Sequence, residues 1–361
     1  MQNKTLEKWE EKTLEDILDK GSSNLSANKL NACEGDYPIY GASGLVKKVN
    51  FYQQEKEYLA IIKDGAGVGR VYHYEPKSSV LGTLQYLFPK ENVNIRFAYY
   101  YLQSLDFAKY YQGAAIPHIY YKDYKNEKLV LPPLLEQQRI VGILDEAFEN
   151  IEKAKQNALQ NLNNAKELFE NKLYYLFNTN TELWKEDVLH NICEKISAGG
   201  DKPEIFSQTK TIECNIPIYS NGIKDNGLYG YTNKPTIEKP AITISARGTI
   251  GFVCKRLEPY CPIVRLISLI PKDFIDLSFL AYAMNFVIPK NTGTSIPQLT
   301  VPNLKNGIIK YPSIAEQQKI VTQLDELQEQ TKKLEQIYEQ KTKNLDELKQ
   351  SILQKAFNGE L

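Results

Sequence analysis

Apolar and polar positions divide the chain into two kinds of segment, and each kind occurs twice. Runs rich in β-branched and aromatic residues, YLAIIK (58–63), GRVYHY (69–74), PAITIS (240–245) and IGFVCK (250–255), are bounded by Gly, Pro and Asn. That pattern predicts strands joined by turns. Each strand-rich region also holds one stretch with helical spacing, near Phe97–Leu105 and Leu277–Phe286. The remaining segments contain no Gly or Pro across 143–180 and 314–358. In the second, apolar residues recur in a 4-3 rhythm at Ile320, Leu324, Leu327, Leu334, Tyr338, Leu345, Leu348 and Ile352. The first repeats it with Ile140, Leu144, Ala147, Ile151, Ala154, Ala158, Ala165 and Leu168. Helices of roughly 40 residues, about 60 Å long, are predicted, the second opening on a Ser313/Glu316 capping box. Neither stripe can be left in water, so the two helices are expected to pack on each other as an antiparallel coiled coil.

The alternation reflects an internal repeat. LPPLLEQQRIVGILDE (131–146) matches YPSIAEQQKIVTQLDE (311–326) at an offset of 180 residues. The register continues without a gap from Gly113 to Asn178 against Gly293 to Asn358, pairing GAAIPHI with GTSIPQL. Upstream, Trp9 answers Trp184, YPIYGASG answers IPIYSNG, and GAGVG answers RGTIG. Four segments follow: strand-rich domains over 1–130 and 179–311, and helical spacers over 131–178 and 312–361. The fold class is therefore α+β, two strand-rich domains separated by two long helices, with a pseudo-twofold repeat.

Composition narrows the function. The 361 residues carry 44 basic and 44 acidic side chains, which rules out a histone-like balance, although the strand-rich segments are net +1 and +3 and the helical ones −2 each. Five cysteines (Cys33, Cys193, Cys214, Cys254, Cys261) form no CxxC pair, so neither a disulfide framework nor a zinc ribbon is expected, and a reducing cytoplasm fits. The first residues lack an apolar signal core and no stretch is long enough to span a bilayer, so a soluble protein without a membrane partner is expected.

Several chemical motifs are weak or missing. GAGVGR (65–70) after a strand resembles a phosphate-cradling loop, but VYHYEP continues as strand where that fingerprint needs a helix, so a β-turn is expected. No GxxxxGK[ST] and no [DNS]PP[YFW] occurs, which argues against a P-loop ATPase and an amino-methyltransferase. His73, His118 and His190 have no second ligand nearby in sequence, so neither metal site nor catalytic triad is expected. Arg247, Arg256 and Arg265 lie on or beside successive strand-like runs, and Lys47, Lys48, Lys63 and Arg70 occupy the comparable region of the first copy. Solvated charge is one reading of them. Phosphate and base-edge contact is the other, because arginine pairs bidentately with guanine and lysine binds phosphate as a point charge.

With the twice-occurring P-x-x-x-E-Q-Q-[RK]-I-V, its L-D-E extension, ARGTIG (246–251), GTSIPQL and the terminal LQKAFNGEL, the chain resembles the DNA-specificity subunit of type I restriction-modification enzymes. The resemblance implies a non-catalytic chain without a cofactor. Two target-recognition domains would each read half of a split site in double-stranded DNA, held apart by helices that dock two methyltransferase subunits and, through them, the restriction motor and nuclease. Candidate DNA contacts are Lys47, Lys48, Lys63, Arg70, Tyr111, Gln112 and His118 in the first copy. In the second they are Lys224, Arg247, Thr249, Arg256, Asn291, Thr292, Thr294, Ser295 and Gln298. At the helix starts, Glu136, Gln137, Gln138, Glu316, Gln317 and Gln318 are expected to be exposed and to shape the partner site, with helix capping as the alternative. The first copy departs from the pattern at GAGVG and at the YYLFN that replaces KAF. A tandem protein- or carbohydrate-binding module on a coiled-coil stalk, and a self-contained modification enzyme, are the competing classes.

Overall fold

A computed structural model describes residues 9–30, 34–113, 116–179, 181–288 and 299–361. The chain divides into two compact units, 1–159 with 339–361, and 160–338. The first opens with β1 (Glu10–Thr13), α1 (Leu14–Ile17) and β2 (Leu18–Ser22). It continues through β3 (Tyr37–Gly41), β4 (Gly44–Val49), β5 (Tyr58–Ile62), β6 (Val71–Tyr74), β7 (Ser79–Val80) and β8 (Leu84–Pro89). Helices α2 (Ile95–Ser104) and α3 (Tyr121–Tyr124) and strand β9 (Lys128–Leu131) lead into the long helix α4 (Leu134–Asn178). One antiparallel sheet has the order β2-β8-β5-β6, a second has β4-β3-β7 with β3 and β7 parallel, and β1 pairs with β9. Every residue of β5, YLAII, is buried, as a continuous apolar run must be in the middle of a covered sheet.

The second unit repeats this plan. It contains β10 (Lys185–Val188), α5 (Leu189–Ile192), β11 (Cys193–Ala198), β12 (Ile216–Tyr219), β13 (Leu228–Thr232), β14 (Ala241–Ile244) and β15 (Val253–Arg256). β16 (Cys261–Pro262), β17 (Ile267–Pro271), α6 (Leu277–Val287), α7 (Val301–Lys305), β18 (Ile308–Tyr311) and the long α8 (Ile314–Phe357) follow. The strand orders β11-β17-β14-β15, β13-β12-β16 and β10-β18 reproduce those of the first unit, including the parallel pair β12/β16. The internal repeat is thus a repeat of topology as well as of motif.

Within each unit the start of one long helix lies beside the end of the other, so the two run antiparallel. In the first unit Ile140 and Leu144 of α4 share a core with Leu353 and Ala356 of α8, and Phe357 packs edge-on against Phe97 and Tyr101 of α2. In the second, Ile320 and Leu324 of α8 share a core with Leu173 and Phe177 of α4, and Phe177 meets Phe279 of α6. Phe177 and Phe357 are repeat partners; where YYLFN departs from KAF, Tyr174 and Tyr175 are exposed, while Leu176 packs half-buried against the core at the position of the buried Ala356. The apolar stripe also departs from its simplest reading. Leu168, Leu334 and Leu348 are exposed, whereas Thr331 is buried and satisfies its hydroxyl on the Leu327 and Gln328 carbonyls of its own helix. Of the predicted capping box, the Ser313 hydroxyl accepts from the Glu316 amide at 3.4 Å, while the Glu316 carboxylate faces Lys319.

One polar contact, made twice, ties each long helix to its strand-rich domain. Gln137 is 1% exposed; its Oε1 accepts from the Asn94 amide at 2.8 Å, and its Nε2 donates to the Asn92 and Pro132 carbonyls. Gln317 is fully buried and does the same with the Asp276 amide at 2.8 Å and the Phe274 and Pro312 carbonyls. Asn94 and Asp276 are the N-caps of α2 and α6, each accepting two amides of the first helical turn. The expectation that these glutamines are exposed for a partner is therefore corrected. Asp145 of L-D-E accepts from Tyr100 and Arg96, and Asp325 accepts from Tyr282, so a second pair of contacts clamps the same helices. Burial, together with donation to these carboxylates, pushes the Tyr100 and Tyr282 phenols above their ordinary range.

Replacing Gln317 by Ala leaves one amide and two carbonyls without partners in a buried site. It is expected to cost roughly 2–4 kcal/mol, and Gln137→Ala a similar amount. Chemical denaturation of the two variants measures this, and unchanged midpoints would show that the forks do not hold the domains.

Candidate functional site

In the first unit the structure gathers residues that lie far apart in sequence. GAGVG forms the turn between β5 and β6, with Gly65, Gly67 and Gly69 all at positive φ, so glycine is required at three of its five positions. The strand β6 follows, and the loop is a β-turn as its sequence predicts. Residues 111–113 and 116–119 fold back onto it. Gly65 N donates to the Pro117 carbonyl at 3.0 Å, Ile119 N to the Lys63 carbonyl at 2.9 Å, and the Tyr111 hydroxyl to the Val68 carbonyl at 2.7 Å. Gln112 and His118 exchange both backbone hydrogen bonds at 2.9 Å, and the Gln112 amide donates to Asp123. Lys63, Tyr111, Gln112 and His118 are thereby brought together beside the turn, with Tyr111 and Gln112 exposed, while Arg70, exposed at the end of the turn, lines a groove with Tyr72, Tyr99 and Lys349. The His118 ring meets Tyr120 edge-on at 5.1 Å, and the Lys122 ammonium lies over the Tyr120 ring at 5.3 Å. Together they offer donors, acceptors and a stacking face.

The second unit assembles its corresponding edge differently. Arg247 and Thr249 stand exposed on the tight turn between β14 and β15, where Gly248 and Gly251 take positive φ. Asn221, in the loop after β12, joins this turn to another: its Oδ1 accepts from Ala246 N at 2.8 Å and its Nδ2 donates to the Val264 carbonyl at 2.6 Å. Val264 and Arg265 are both exposed and both left-handed, at φ 53° and 61°. For a β-branched residue this is a genuine outlier, and such residues cost on the order of 1–3 kcal/mol each. Lys224 lies exposed on a third loop, beside Asp225 and Asn226, which are also left-handed.

Two expected contacts serve the fold instead. Arg256 is 6% exposed; its guanidinium donates to Thr243 Oγ1 at 3.0 Å and to the Asn226 carbonyl at 2.6 Å, and lies 3.5 Å from the centre of the Tyr219 ring. It positions the Lys224 loop and is not open to a ligand. Lys47 is half-buried and donates to the Leu30 carbonyl at 2.9 Å, whereas its neighbour Lys48 is exposed. Asn291, Thr292, Thr294, Ser295 and Gln298 lie outside the described residues. Sequence reasoning misses Asn221 and Val264, because neither an amide in a turn nor a valine before an arginine signals a loop anchor. Asn in the S-N-G turn is the only trace.

At the helix starts the motif divides into inner and outer faces. Glu136 is held by a bidentate pair from Arg139, which keeps its carboxyl below the ordinary range, and Gln138 is exposed. Glu316 faces Lys319 at 3.5 Å and Gln318 is exposed. Leu135, adjacent to the first of these patches, is 82% exposed. Among the described residues no cluster of His, Cys, Asp and Glu could hold a metal ion, and no helix is long and apolar enough to cross a membrane.

Two copies of one domain, each fastened to paired long helices and presenting a different set of exposed loops, define a tandem recognition protein. The family described as type I restriction modification DNA specificity domain matches residues 6–161 and again 181–342. A type I specificity subunit from Mycoplasma pneumoniae is 32% identical over 308 residues, covering 78% of this chain and 87% of the relative. A second from that organism is 30% identical over 301 residues, covering 81% and 82%. Among solved structures, one of a type I restriction-modification system superimposes with a TM-score of 0.79 at 18% identity over 98% of both chains. The HsdS subunit from Thermoanaerobacter tengcongensis gives 0.60 at 18% identity over 98% of this chain and 97% of that one. The chain belongs to the type I restriction-modification DNA specificity family, and it is a specificity subunit, the component that recognises DNA sequence.

The structure separates Arg247, exposed on its turn, from Arg256, buried in its contacts. Arg256→Ala is expected to cost roughly 2–4 kcal/mol through its lost hydrogen bonds and ring contact. Arg247→Ala is expected to stay within about 0.5 kcal/mol of the parent. Thermal melting of both variants decides the matter, and equal destabilisation would contradict the assignment.

Proposed function

We propose that each strand-rich domain reads one half of an interrupted, asymmetric target in double-stranded DNA. The two helices set the gap and dock two methyltransferase subunits, and through them the restriction subunits. The observation that carries this reading is the contrast between a repeated frame and unrepeated loops. The same strand order, glutamine fork and Tyr–Asp clamp occur in both units, while GAGVG with Arg70 stands where ARGTIG with Arg247 stands in the other. A reader of two unlike half-sites needs that combination. The likeness of the EQQ helix starts fits one kind of partner bound twice, with Glu136, Gln138, Glu316 and Gln318 as the outward residues. Arginine suits bidentate pairing with guanine, and Tyr111, Gln112 and His118 supply phosphate and base-edge contacts. Sequencing of methylated sites in a host carrying the complete system tests the reading directly: a bipartite motif is expected, and a continuous one would exclude it.

Readout is expected to be modular. Arg70→Ala should relax or weaken only one half of the motif, and Arg247→Ala only the other. A single-domain change that alters both halves equally would end the two-reader scheme.

The helices generate a second expectation. Inserting one heptad after Gln156 and one after Gln336 keeps the apolar stripe in phase and lengthens each rod by roughly 10 Å. At about 3.4 Å per base pair the gap widens by up to about three pairs, with the half-sites unchanged. An active complex that methylates the original spacing would mean that something else sets the gap.

A further inference from the structure

The corner Ile263–Leu266 in the second unit is built at a cost that the fold itself does not require. Leu266 N donates to the Ile263 carbonyl at 3.0 Å, closing a turn whose two central residues, Val264 and Arg265, are both left-handed. That is the signature of a type I′ turn, which Asn-Gly fills without strain and which a valine resists. The first unit turns the same corner with Leu81–Leu84. There Leu84 N donates to the Leu81 carbonyl, Leu81 N to the Tyr40 carbonyl and Gly82 N to the Leu25 carbonyl. In the second unit the matching bonds are Leu266 N to Ile263, Ile263 N to Tyr219 and Val264 N to Gly200. Yet Gly82 and Thr83 keep out of the left-handed region. The topology therefore tolerates an unstrained corner. The copy that carries glycine does not use its freedom, and the copy that lacks glycine needs it.

The strained pair is also held from every side. Val264 N donates to the Gly200 carbonyl at 2.9 Å, Arg265 N to the Gly199 carbonyl at 3.0 Å, and the Val264 carbonyl accepts from Asn221 at 2.6 Å. With the backbone groups fixed inward, the side chains are turned outward. Val264 is 47% exposed, and Arg265 is exposed, its guanidinium without a hydrogen bond or ion pair to any described residue. Through Asn221 the same corner is fastened to the turn that carries Arg247 and Thr249. An exposed valine in a disfavoured conformation beside an arginine whose guanidinium is uncommitted, fastened to the turn of another arginine, has no account as packing. Local strain of this kind persists where a functional geometry depends on it.

We propose that the Val264–Arg265 corner is a specificity-determining finger of the second domain. Arg265 pairs with the O6 and N7 of a guanine, and Val264 packs on the 5-methyl of an adjoining thymine, both displayed in the major groove. The inference rests on the DNA-reading function proposed above and adds the residues that set part of one half-site. It also explains the asymmetry between the copies, because Gly82 and Thr83 offer no guanidinium to a guanine. The first half-site is read by other groups.

The test uses the full chain in its methyltransferase complex, selecting from a duplex pool randomised at every position of the target. Two variants are compared with the parent, Val264→Asn with Arg265→Gly, and Arg265→Ala alone. The double variant supplies the residues that a type I′ turn favours. Its melting temperature is expected to rise by roughly 2–4 °C or more, while discrimination at one or two adjoining G·C and T·A pairs of a single half-site falls on the order of tenfold. Arg265→Ala, which keeps the strained valine, is expected to relax the guanine position without that gain in melting temperature. Raised stability with an unchanged motif would overturn the finger, since the strain would then serve no reading. A lowered melting temperature for the double variant would equally overturn it, because the corner would not be strained. A parent complex that selects no sequence would overturn the DNA-reading function and the finger with it. A parent that selects while both variants select the same bases with the same preference overturns the finger alone.

Discussion

A buried glutamine side chain fixes how each strand-rich domain sits on its long helix. Gln137 and Gln317 lie in the first turn of α4 and α8, where backbone amides have no helical partners, and each reaches the amide of the residue that caps a second helix. The geometry is demanding. A carboxamide presents one acceptor and two donors in a plane, and here the acceptor faces one amide while the NH2 group meets two carbonyls. A carboxylate could not donate, and an alkyl chain would leave three backbone groups dry and unpaired. The fork therefore specifies both an angle and a register between helix and domain, and the loops that protrude from the domain inherit that position.

Around the fork the other repeated residues serve the same joint. Ile140 and Ile320, Leu144 and Leu324 bury the inner face of the helix start, and Asp145 and Asp325 accept tyrosine hydroxyls one or two turns along α2 and α6. The likeness of the two copies in this stretch thus has a structural cause before it has a functional one. Gln138 and Arg139, with Glu316, Gln318 and Lys319, are exposed on the outer face, beside the half-buried Glu136 and the exposed Leu135.

Much of this was legible in the sequence, and the losses have definite reasons. The strands YLAIIK and PAITIS, the short helices before the long ones and the two spacers all follow from period and composition, because apolar runs bounded by turn residues have few alternatives. The helical stripe was legible only in part: a 4-3 rhythm chosen by hydrophobicity selects Leu334 and Leu348, while the helix buries Thr331, whose hydroxyl closes on its own backbone. Gln137 reads as surface because a neutral amide shows no sign of three waiting backbone partners. Arg256 reads as a DNA contact for the opposite reason, since an arginine on a strand looks available until Tyr219, Thr243 and Asn226 are seen around it. The gathering of Lys63 with Gln112 and His118 depends on a long-range return of the chain that no local pattern encodes.

The division between frame and loops also determines where change is tolerated. A substitution in the fork or the Tyr–Asp clamp strands a buried polar group, so these positions are costly to alter even when the replacement is similar in size. The outward side chains at the exposed corners take no part in the anchoring, which runs through backbone groups and a few fixed residues. In the first unit three glycines shape the corner between β5 and β6; in the second, the Asn221 side chain ties the equivalent turn to its neighbour. Two unrelated solutions therefore hold two different sets of outward side chains on one strand order. A specificity subunit needs this separation, because the residues that choose the sequence can then vary without disturbing those that fix where the choice is made.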